Sequence, residues 1–167
     1  MSKIKAKQLS LLRYSVLYYD MIQEGDRICV GVSGGKDSLT LLYLLAALRR
    51  FYPKHFELEA VTLTLGKNDP DYSSVIELCK KLDVHHTLQE TQIAQIVFDE
   101  RQEKNPCALC ANLRRGGVNS LAKELGCNKV ALGHHMDDVL ESYLMSTLYE
   151  GRIYTFSPVT YLDRTDL

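Results

Sequence analysis

Hydrophobic residues along this chain follow two patterns that alternate with each other. Short and nearly continuous hydrophobic runs predict β-strands at residues 27–32, 56–65, 84–88 and 129–133. Segments whose hydrophobic residues recur every three or four positions predict helices at residues 8–23, 38–48, 75–82, 112–125 and 139–148. A weaker helical pattern covers residues 93–98, and the polar residues 100–106 are expected to form a loop.

This alternation predicts an α/β fold. Right-handed βαβ units place successive strands parallel, which gives a doubly wound, Rossmann-like sheet with helices on both faces. Residues 1–25 are expected to form an N-terminal helix that packs on the domain, and residues 26–167 the domain itself. Ligands of such sheets bind at the carboxyl ends of the strands. Polar segments at residues 33–38, 62–64 and 133–138 follow strands, so we expect them to converge there.

Composition limits the partners of the chain. Its 167 residues suit a single domain, and 20 Lys and Arg against 21 Asp and Glu give no overall attraction to nucleic acid or lipid. A polyanion would need a local basic patch, for which the candidates are Lys3, Lys5, Lys7, Arg13, Arg49, Arg50, Lys54, Arg114 and Arg115. The sequence contains neither a membrane-spanning hydrophobic run nor the hydrophobic core of a secretory signal, so we expect a cytoplasmic protein with no membrane partner.

The segment Val30–Ser38 contains the strongest candidate for a ligand site. A hydrophobic strand stops at Gly34 and Gly35, and a helix begins directly after them. Glycines let backbone N–H groups approach a ligand, and the positive end of the new helix favours an anion. The side chains of Ser33, Lys36, Asp37 and Ser38 add two hydroxyls, an ammonium group and a carboxylate that could bind magnesium. The turn therefore suits a phosphate or pyrophosphate.

The loop Gly133–Asp138 follows the fourth predicted strand and contains two histidines and two aspartates. These groups could bind a metal, orient a phosphate or transfer protons. Asp137 could instead be a helix N-cap, with the histidines as surface residues. The position at the end of a strand favours a functional role. His85 and His86, on the third predicted strand, are expected to be structural.

Five cysteines in an intracellular chain favour metal binding or thiol chemistry over a disulfide framework. Cys107 and Cys110 form the one close pair, next to a predicted helix N-terminus, where thiolates are stabilised. Such a pair could bind zinc or iron–sulfur, or cycle through a disulfide. The neighbouring Arg114 and Arg115 could lower the pKa of these thiols or bind phosphates. Cys29 is expected to be an inert core thiol.

The string Ser33–Ser38 is the same as the PP-loop signature of the ATP-pyrophosphatase superfamily, whose members adenylate a carbonyl or amide oxygen and release pyrophosphate. Together with Pro106–Cys110, Leu113–Gly116 and Leu132–Asp138, it resembles the branch that thiolates tRNA, and most closely the tRNA 2-thiocytidine synthetases, or TtcA-type tRNA sulfurtransferases. The resemblance implies an adenine nucleotide alpha hydrolase-like fold and covers nearly the whole chain.

The resemblance implies a reaction in two stages. ATP with magnesium adenylates the C2 oxygen of a cytidine in the anticodon loop of tRNA, and sulfur supplied by a cysteine desulfurase then displaces AMP. The N-terminal helix could pack against a partner subunit in a homodimer. Two alternatives remain open: a PP-loop ligase or amidotransferase that acts on another substrate and uses the cysteine pair for redox chemistry or zinc, and an ATP-binding module without catalysis.

The resemblance also assigns roles to residues. The pyrophosphate is held by Ser33, Gly34, Gly35, Lys36, Asp37 and Ser38, the adenine or ribose meets the backbone of Thr62, Leu63 and Thr64, and the far side of the nucleotide is lined by Gly133, His134 and Asp137. The catalytic residues are Lys36, Asp37, Cys107 and Cys110, with Asp37 as the magnesium ligand and the two cysteines as ligands of a 4Fe-4S cluster.

The chain departs from the family in two respects. The third cluster ligand of the family is a cysteine far downstream, whereas only Cys127 follows Cys110 in this chain. The family also continues beyond the position of Leu167 into another strand and a C-terminal segment. We therefore expect a fragment, a truncated form or a natural short variant.

Overall fold

A single parallel sheet organises the molecule. The computed structural model describes residues 3–66, 69–100, 106–163 and 167. The sheet consists of β1 (Asp26–Gly31), β2 (Phe56–Leu63), β3 (His85–Gln89) and β4 (Lys129–Ala131). Their order is β3-β2-β1-β4, and every neighbouring pair is parallel. The predicted doubly wound α/β fold is confirmed, and the strand order reverses between β1 and β4.

Helices cover both faces of this sheet. They are α1 (Lys3–Tyr18), α2 (Lys36–Arg49), α3 (Ser73–Leu82), α4 (Pro106–Glu124) and α5 (Met136–Glu150), with a π-helical segment at Gln95–Glu100. None of the helices in the described ranges has both the length and the hydrophobicity needed to cross a membrane.

Alternating strand residues divide the core into two layers. On one face, Val30 and Ala60 pack with α1, α2 and α3 in a cluster that includes Leu9, Val16, Leu42, Leu48 and Val75. On the other face, Cys29 and Val61 pack against Leu121 and Ala122 of α4. Successive strand residues point to opposite faces, so adjacent positions such as Cys29 and Val30 belong to different layers.

Some predicted boundaries are wrong. The first helix ends at Tyr18 and not at residue 23, because the chain turns at Asp20 with φ of 47° and Ile22 reaches the core from outside the helix. Helix α4 begins at Pro106, six residues before the predicted start, since proline suits the first helical turn. Strands β2 and β4 each end two residues early. Of the predicted loop 100–106, residues 101–105 lie outside the described part of the chain.

A buried ion pair joins β1 to β4 at the edge of the sheet opposite the ligand edge. Asp26 is buried, and its Oδ2 lies 2.6 Å from Nζ of Lys129, which also donates to the carbonyl of Met21. Burial alone would raise the pKa of Asp26, but hydrogen bonds from Lys129, the Gln23 N–H and Asn128 lower it overall. The ionised pair therefore anchors the short strand β4.

The change Lys129→Met should lower the free energy of unfolding by about 3 kcal/mol, because it leaves the Asp26 carboxylate buried without its cation. Because the pKa of Asp26 is lowered in the folded protein, its contribution is present above about pH 4 and is lost as the pH falls through the folded pKa. In urea unfolding, the difference in free energy of unfolding between the parent and Lys129→Met should thus be smaller at pH 3 than at pH 7. An equal difference at pH 7 and pH 3 would contradict a stabilising role of the ionised Asp26–Lys129 pair. The matched control is Asp26→Asn with Lys129→Met, which removes both charges.

Candidate active site

A cavity of about 370 Å³ opens at the carboxyl ends of the strands. Its walls are the loop after β1, the loop after β4, the end of β2 and one side of α4, and the lining includes Ser33, Asp37, Leu63, Arg114, Arg115 and His134. The cavity lies where the strand order reverses, which is the usual ligand position in such sheets. The two loops and the end of β2 thus converge as expected.

The glycine turn has the backbone that an anion site requires. Gly34 has φ of +83°, a conformation that side chains disfavour, and Gly35 is the extended N-cap of α2. Because Gly35 has no side chain, the first N–H groups of α2, which lie beside the cavity, have no side-chain cap. An anion placed there would meet both these donors and the positive end of the helix dipole.

Ser38 shapes this turn from inside. Its side chain is buried, and its Oγ accepts from the N–H of Ser33 at 3.2 Å and donates to the carbonyl of Gly35 at 3.0 Å. The hydroxyl of Ser33 lies 3.3 Å away from the same Oγ. The Ser38 hydroxyl thus joins the two ends of the turn, while Ser33 remains exposed at the cavity.

Charged groups follow the turn directly. The Nζ of Lys36 lies 2.9 Å and 3.1 Å from the two carboxylate oxygens of Asp37. This hydrogen bond is the main cause that lowers the pKa of Asp37, and the charge of His135 contributes to the same direction. The same bond raises the pKa of Lys36. Asp37 is therefore an ionised carboxylate at the cavity, held beside a cation.

His135 connects the two loops. It is the N-cap of α5, and its Nδ1 accepts from the N–H of Asp137 at 3.2 Å. In return, the N–H of His135 donates to the Asp138 carboxylate at 2.7 Å. The Nε2 of His135 lies 3.7 Å from Oδ1 of Asp37, so this residue links the β4–α5 loop to the start of α2. The N-cap interpretation of Asp137 is wrong, and Asp138, not Asp137, lines the cavity.

Two substitutions separate the capping role of His135 from its contact with Asp37. His135→Ala removes the cap and should lower the free energy of unfolding by about 1 kcal/mol. His135→Asn should keep that stability, because asparagine is a favourable N-cap, but its shorter side chain does not reach Asp37. If His135 positions Asp37, both variants should weaken magnesium-dependent ATP binding in calorimetry. Normal magnesium-dependent ATP binding by His135→Asn would mean that His135 serves only as the N-cap of α5.

Gly133 is the point of closest approach between the loops. A Cβ atom built there would lie 2.9 Å from the backbone N of Ser38 and 3.0 Å from the carbonyl carbon of Asp37. Both neighbours are backbone atoms of the first turn of α2, directly after the glycine turn, and they cannot move aside as a flexible side chain could. Only glycine therefore lets the β4–α5 loop close onto the start of α2.

The residues predicted at the end of β2 are divided between cavity and core. Leu63 lines the cavity. The Oγ1 of Thr62 donates to the carbonyl of Val32 and lies 2.9 Å from Nε2 of His86, and Thr64 accepts from the N–H of Thr91. Both threonine side chains are buried among these partners. The N–H of Thr64 donates to the carbonyl of Gln89 and its carbonyl accepts from the Thr91 hydroxyl, and neither threonine lines the cavity. His86 has the structural contact that was expected of it.

Helix α4 carries the cysteine pair and the two arginines along the cavity. Cys107 is exposed and Cys110 half-buried, and residues three apart on a helix are neighbours. Ala111 and Arg114, each one turn beyond a cysteine, line the cavity together with Arg115. The thiols are thus next to the cavity but not among its lining residues. The predicted position of the pair at a helix N-terminus is confirmed, with both cysteines inside the first turns of α4.

Cys127 is not a partner for these thiols. It is buried against Cys29 in the core beyond the last turn of α4, and most of that helix, about 20 Å, separates it from Cys110. Burial raises the pKa of the Cys29 thiol to about 12 and also raises that of Cys127. Cys29 is therefore the inert core thiol that the sequence predicts.

The donor groups fit the two expected metal centres to different degrees. In the described part of the chain, no three His, Cys, Asp or Glu side chains are grouped to hold a metal. Magnesium commonly takes one or two carboxylates, with phosphates and water as the other ligands, so Asp37 beside a phosphate site fits it. A 4Fe-4S cluster needs more cysteines than Cys107 and Cys110, and Cys29, Cys79 and Cys127 are buried. This pair supplies only part of a cluster site.

A second cavity, of about 390 Å³, lies on the other side of Asp37. It is lined by Gln8, Lys36, Asp37, Thr40, Leu41, Leu44, Gly133, His134 and His135. Sequence analysis did not identify Gln8, Thr40 or His135 as site residues. Gln8 belongs to no motif, since only the packing of α1 on α2 brings it to Asp37. Thr40 lies one helical turn beyond Lys36 on α2, so helical spacing was the available signal for it. His135 belongs to the loop Gly133–Asp138, and its position two residues before Asp137 was the available signal for an N-cap.

Comparisons with known proteins agree with this geometry. A family model described as a PP-loop domain matches residues 4–155. The tRNA-cytidine(32) 2-sulfurtransferase of Syntrophotalea carbinolica is 44% identical over 143 residues, which cover 84% of this chain and 54% of that protein. Its counterpart in Geobacter sulfurreducens is 39% identical over 145 residues, covering 86% and 56%. The chain thus spans just over half the length of these curated relatives.

A solved structure shares the fold. The U34-tRNA thiolase NcsA from Methanococcus maripaludis, determined with its [4Fe-4S] cluster, superposes with a TM-score of 0.73 and 25% sequence identity. The match covers 89% of this chain and 50% of the thiolase.

Proposed function

The chain belongs to the PP-loop domain family, and on that basis we propose that it is the ATP-binding, adenylating part of a tRNA sulfurtransferase. The observation that carries the proposal is the glycine turn, which faces Arg114 and Arg115 across one cavity and has Asp37 at its edge. The names of the relatives suggest cytidine 32 of tRNA as the acceptor. The full activity of those longer proteins is part of the proposal.

In the first stage, the C2 oxygen of the cytidine would attack the α-phosphorus of ATP. The new oxygen–phosphorus bond forms as the bond to pyrophosphate breaks. The N–H groups of the glycine turn, Lys36 and the arginines of α4 would stabilise the negative charge that moves onto pyrophosphate. Asp37, ionised beside Lys36, would hold magnesium, which screens the phosphate charge.

In the second stage, a sulfide equivalent would displace AMP from C2, so that a carbon–sulfur bond replaces the carbon–oxygen bond. Adenylation makes this step feasible because AMP is a far better leaving group than the unactivated oxygen. We propose a cysteine desulfurase as the sulfur source, with a thiol reductant that supplies the two electrons needed to release its persulfide sulfur as sulfide, and with the reaction taking place in the cytoplasm. A homodimer packed through α1 stays a prediction.

The nucleotide would lie across the cavity between the two loops. Leu63 offers an apolar contact to the adenine or ribose. Thr62 and Thr64 lie outside the cavity lining, and the backbone N–H and carbonyl of Thr64 are bonded to Gln89 and Thr91, so we assign these two residues no direct contact with the nucleotide. Gly133 and His134 would line the opposite side. Asp137 lies outside the cavity lining, so we assign to it a charge effect on Lys36 and no direct contact with the nucleotide.

The test is AMP release from ATP with purified chain, magnesium, tRNA and sodium sulfide, because sulfur must displace AMP from the adenylated base in the second stage. We expect AMP and pyrophosphate in equal amounts, dependent on a tRNA with cytidine at position 32, and no reaction with a tRNA that has uridine there. Release of AMP with an amine or small-molecule acceptor would favour the ligase or amidotransferase alternative. ATP binding without AMP formation for any tRNA would favour an ATP-binding module.

We also propose that Cys107 and Cys110 are two ligands of the iron–sulfur cluster, with the remaining ligand from another group. After anaerobic reconstitution with iron and sulfide, the double variant Cys107→Ala with Cys110→Ala should lose bound iron and its visible absorbance. Cys127→Ala, a matched change at the far end of α4, should retain both. Iron retained by the double variant, or zinc in the unreconstituted protein, would contradict the assignment.

A further inference from the structure

Helix α1 has a charge unlike that of the rest of the chain. The whole chain has a net charge of −1, yet residues 3–19 contain Lys3, Lys5, Lys7 and Arg13 and no Asp or Glu. The acidic residue that follows them, Asp20, is bound by Lys54 at 3.0 Å. A helix with four basic and no acidic residues, in a protein whose net charge is close to zero, is the local basic feature that a polyanion would require.

The same helix exposes aromatic rings on one face. Lys7, Leu11, Tyr14 and Tyr18 follow one another at four- and three-residue steps, so they share a face, whereas Leu9 and Val16 are buried in the core. Tyr14 and Tyr18 are 66% and 67% exposed. Their rings stack with centroids 5.8 Å apart and an interplanar angle of 20°. This arrangement presents flat apolar surface next to a cation.

The face begins close to the active site. Gln8, adjacent to Lys7 on α1, lines the second cavity together with Lys36, Asp37 and His135. A molecule that lay along α1 would therefore reach the carboxylate of Asp37 at one end of the helix. Gln8 thus places the N-terminal end of this face next to the second cavity.

We propose that α1 is a docking helix for the single-stranded loop of the RNA substrate. Tyr14 and Tyr18 stack on unpaired bases, and Lys7 and Arg13 contact the adjacent phosphates. Stacking on aromatic rings combined with phosphate contacts is the general mode of single-stranded RNA recognition, which a folded duplex cannot use in the same way. The inference rests on the proposed function, because it takes tRNA as the substrate.

The experiment measures binding of a fluorescently labelled anticodon stem-loop RNA to the full chain by anisotropy. Tyr14→Ala with Tyr18→Ala should weaken binding about tenfold or more, whereas Tyr14→Phe with Tyr18→Phe, which keeps both rings, should stay near the parent. Lys7→Gln with Arg13→Gln should reduce the slope of log affinity against log salt by about 1.4. Tyr149→Ala, which removes an exposed tyrosine of α5, is the matched control and should have no effect. Thermal melting and ATP binding check that each variant is folded.

The outcomes distinguish this inference from the proposed function. If the parent chain binds the RNA and the alanine pair binds it equally well, α1 is not the docking helix, and the proposed function is unaffected. If the alanine pair instead changes only the sedimentation of the protein, the face is a contact between copies of the chain, and the inference is wrong. If the parent chain binds no tRNA, both fail together.

Discussion

Replacing Asp37 with asparagine is expected to lower tRNA-dependent AMP formation at least about 100-fold, because a metal bound to the reacting phosphates supplies several kcal/mol of charge stabilisation. Asparagine keeps the size of the side chain but not the negative charge. The carboxylate lies at the cavity, paired with Lys36 and ionised, which is the state that magnesium requires. The measurement is AMP release under single-turnover conditions with saturating tRNA and sulfide.

The controls for this variant address folding and binding separately. Glu77→Gln removes an exposed carboxylate on α3, where its partner is Lys81, and should leave AMP formation unchanged. ATP binding in the absence of magnesium should be retained or strengthened in Asp37→Asn, since a negative charge beside the phosphates is gone. AMP formation at the parent rate in Asp37→Asn would remove Asp37 from the mechanism.

The second large effect is expected from Gly133→Ala. The added methyl group would meet the backbone of Ser38 and Asp37 at 2.9 to 3.0 Å, so the two loops must separate. Overpacking of this kind costs about 1–3 kcal/mol of stability. Because the displaced backbone is the phosphate-binding turn itself, we expect ATP affinity to fall at least tenfold, measured by calorimetry with ATP and magnesium.

Gly116→Ala is the matched control for that change. Gly116 lies in α4, and a Cβ atom built there meets nothing within 4 Å. Alanine in a helix interior is favoured over glycine by about 0.5–1 kcal/mol, so this variant should be slightly more stable and bind ATP normally. ATP affinity unchanged by Gly133→Ala would mean that the glycine turn tolerates separation from the β4–α5 loop.

The parts of the molecule that sequence predicts well depend on local chemistry. The glycine turn was recognisable because a buried strand, two glycines and a helix start are consecutive in the chain, and their geometry depends little on distant residues. The parallel sheet was recognisable from the alternation of strands and helices. The family followed from short motifs that surround the same cavity.

Other features depended on tertiary packing that no local pattern records. The direction of Thr62 and Thr64 is set by hydrogen bonds to β3 and to Thr91, which sequence spacing does not reveal. The contact of His135 with Asp37 joins residues nearly a hundred positions apart. Helix α4 begins earlier than predicted because its first turns, with the cysteine pair, have little hydrophobic periodicity. The roles of individual site residues stay predictions.

The unequal lengths of the central strands support the two walls of the cleft unequally. Strand β1 is paired along six residues with β2 and also with β4, whereas β4 pairs with β1 over three residues and has no second neighbour among the described strands. The backbone that leads into the glycine turn is therefore held by more ladder hydrogen bonds than the backbone that leads to His134 and His135. We expect ligands of different size to be accommodated on the β4 side, with the phosphate end of the cleft as the fixed reference.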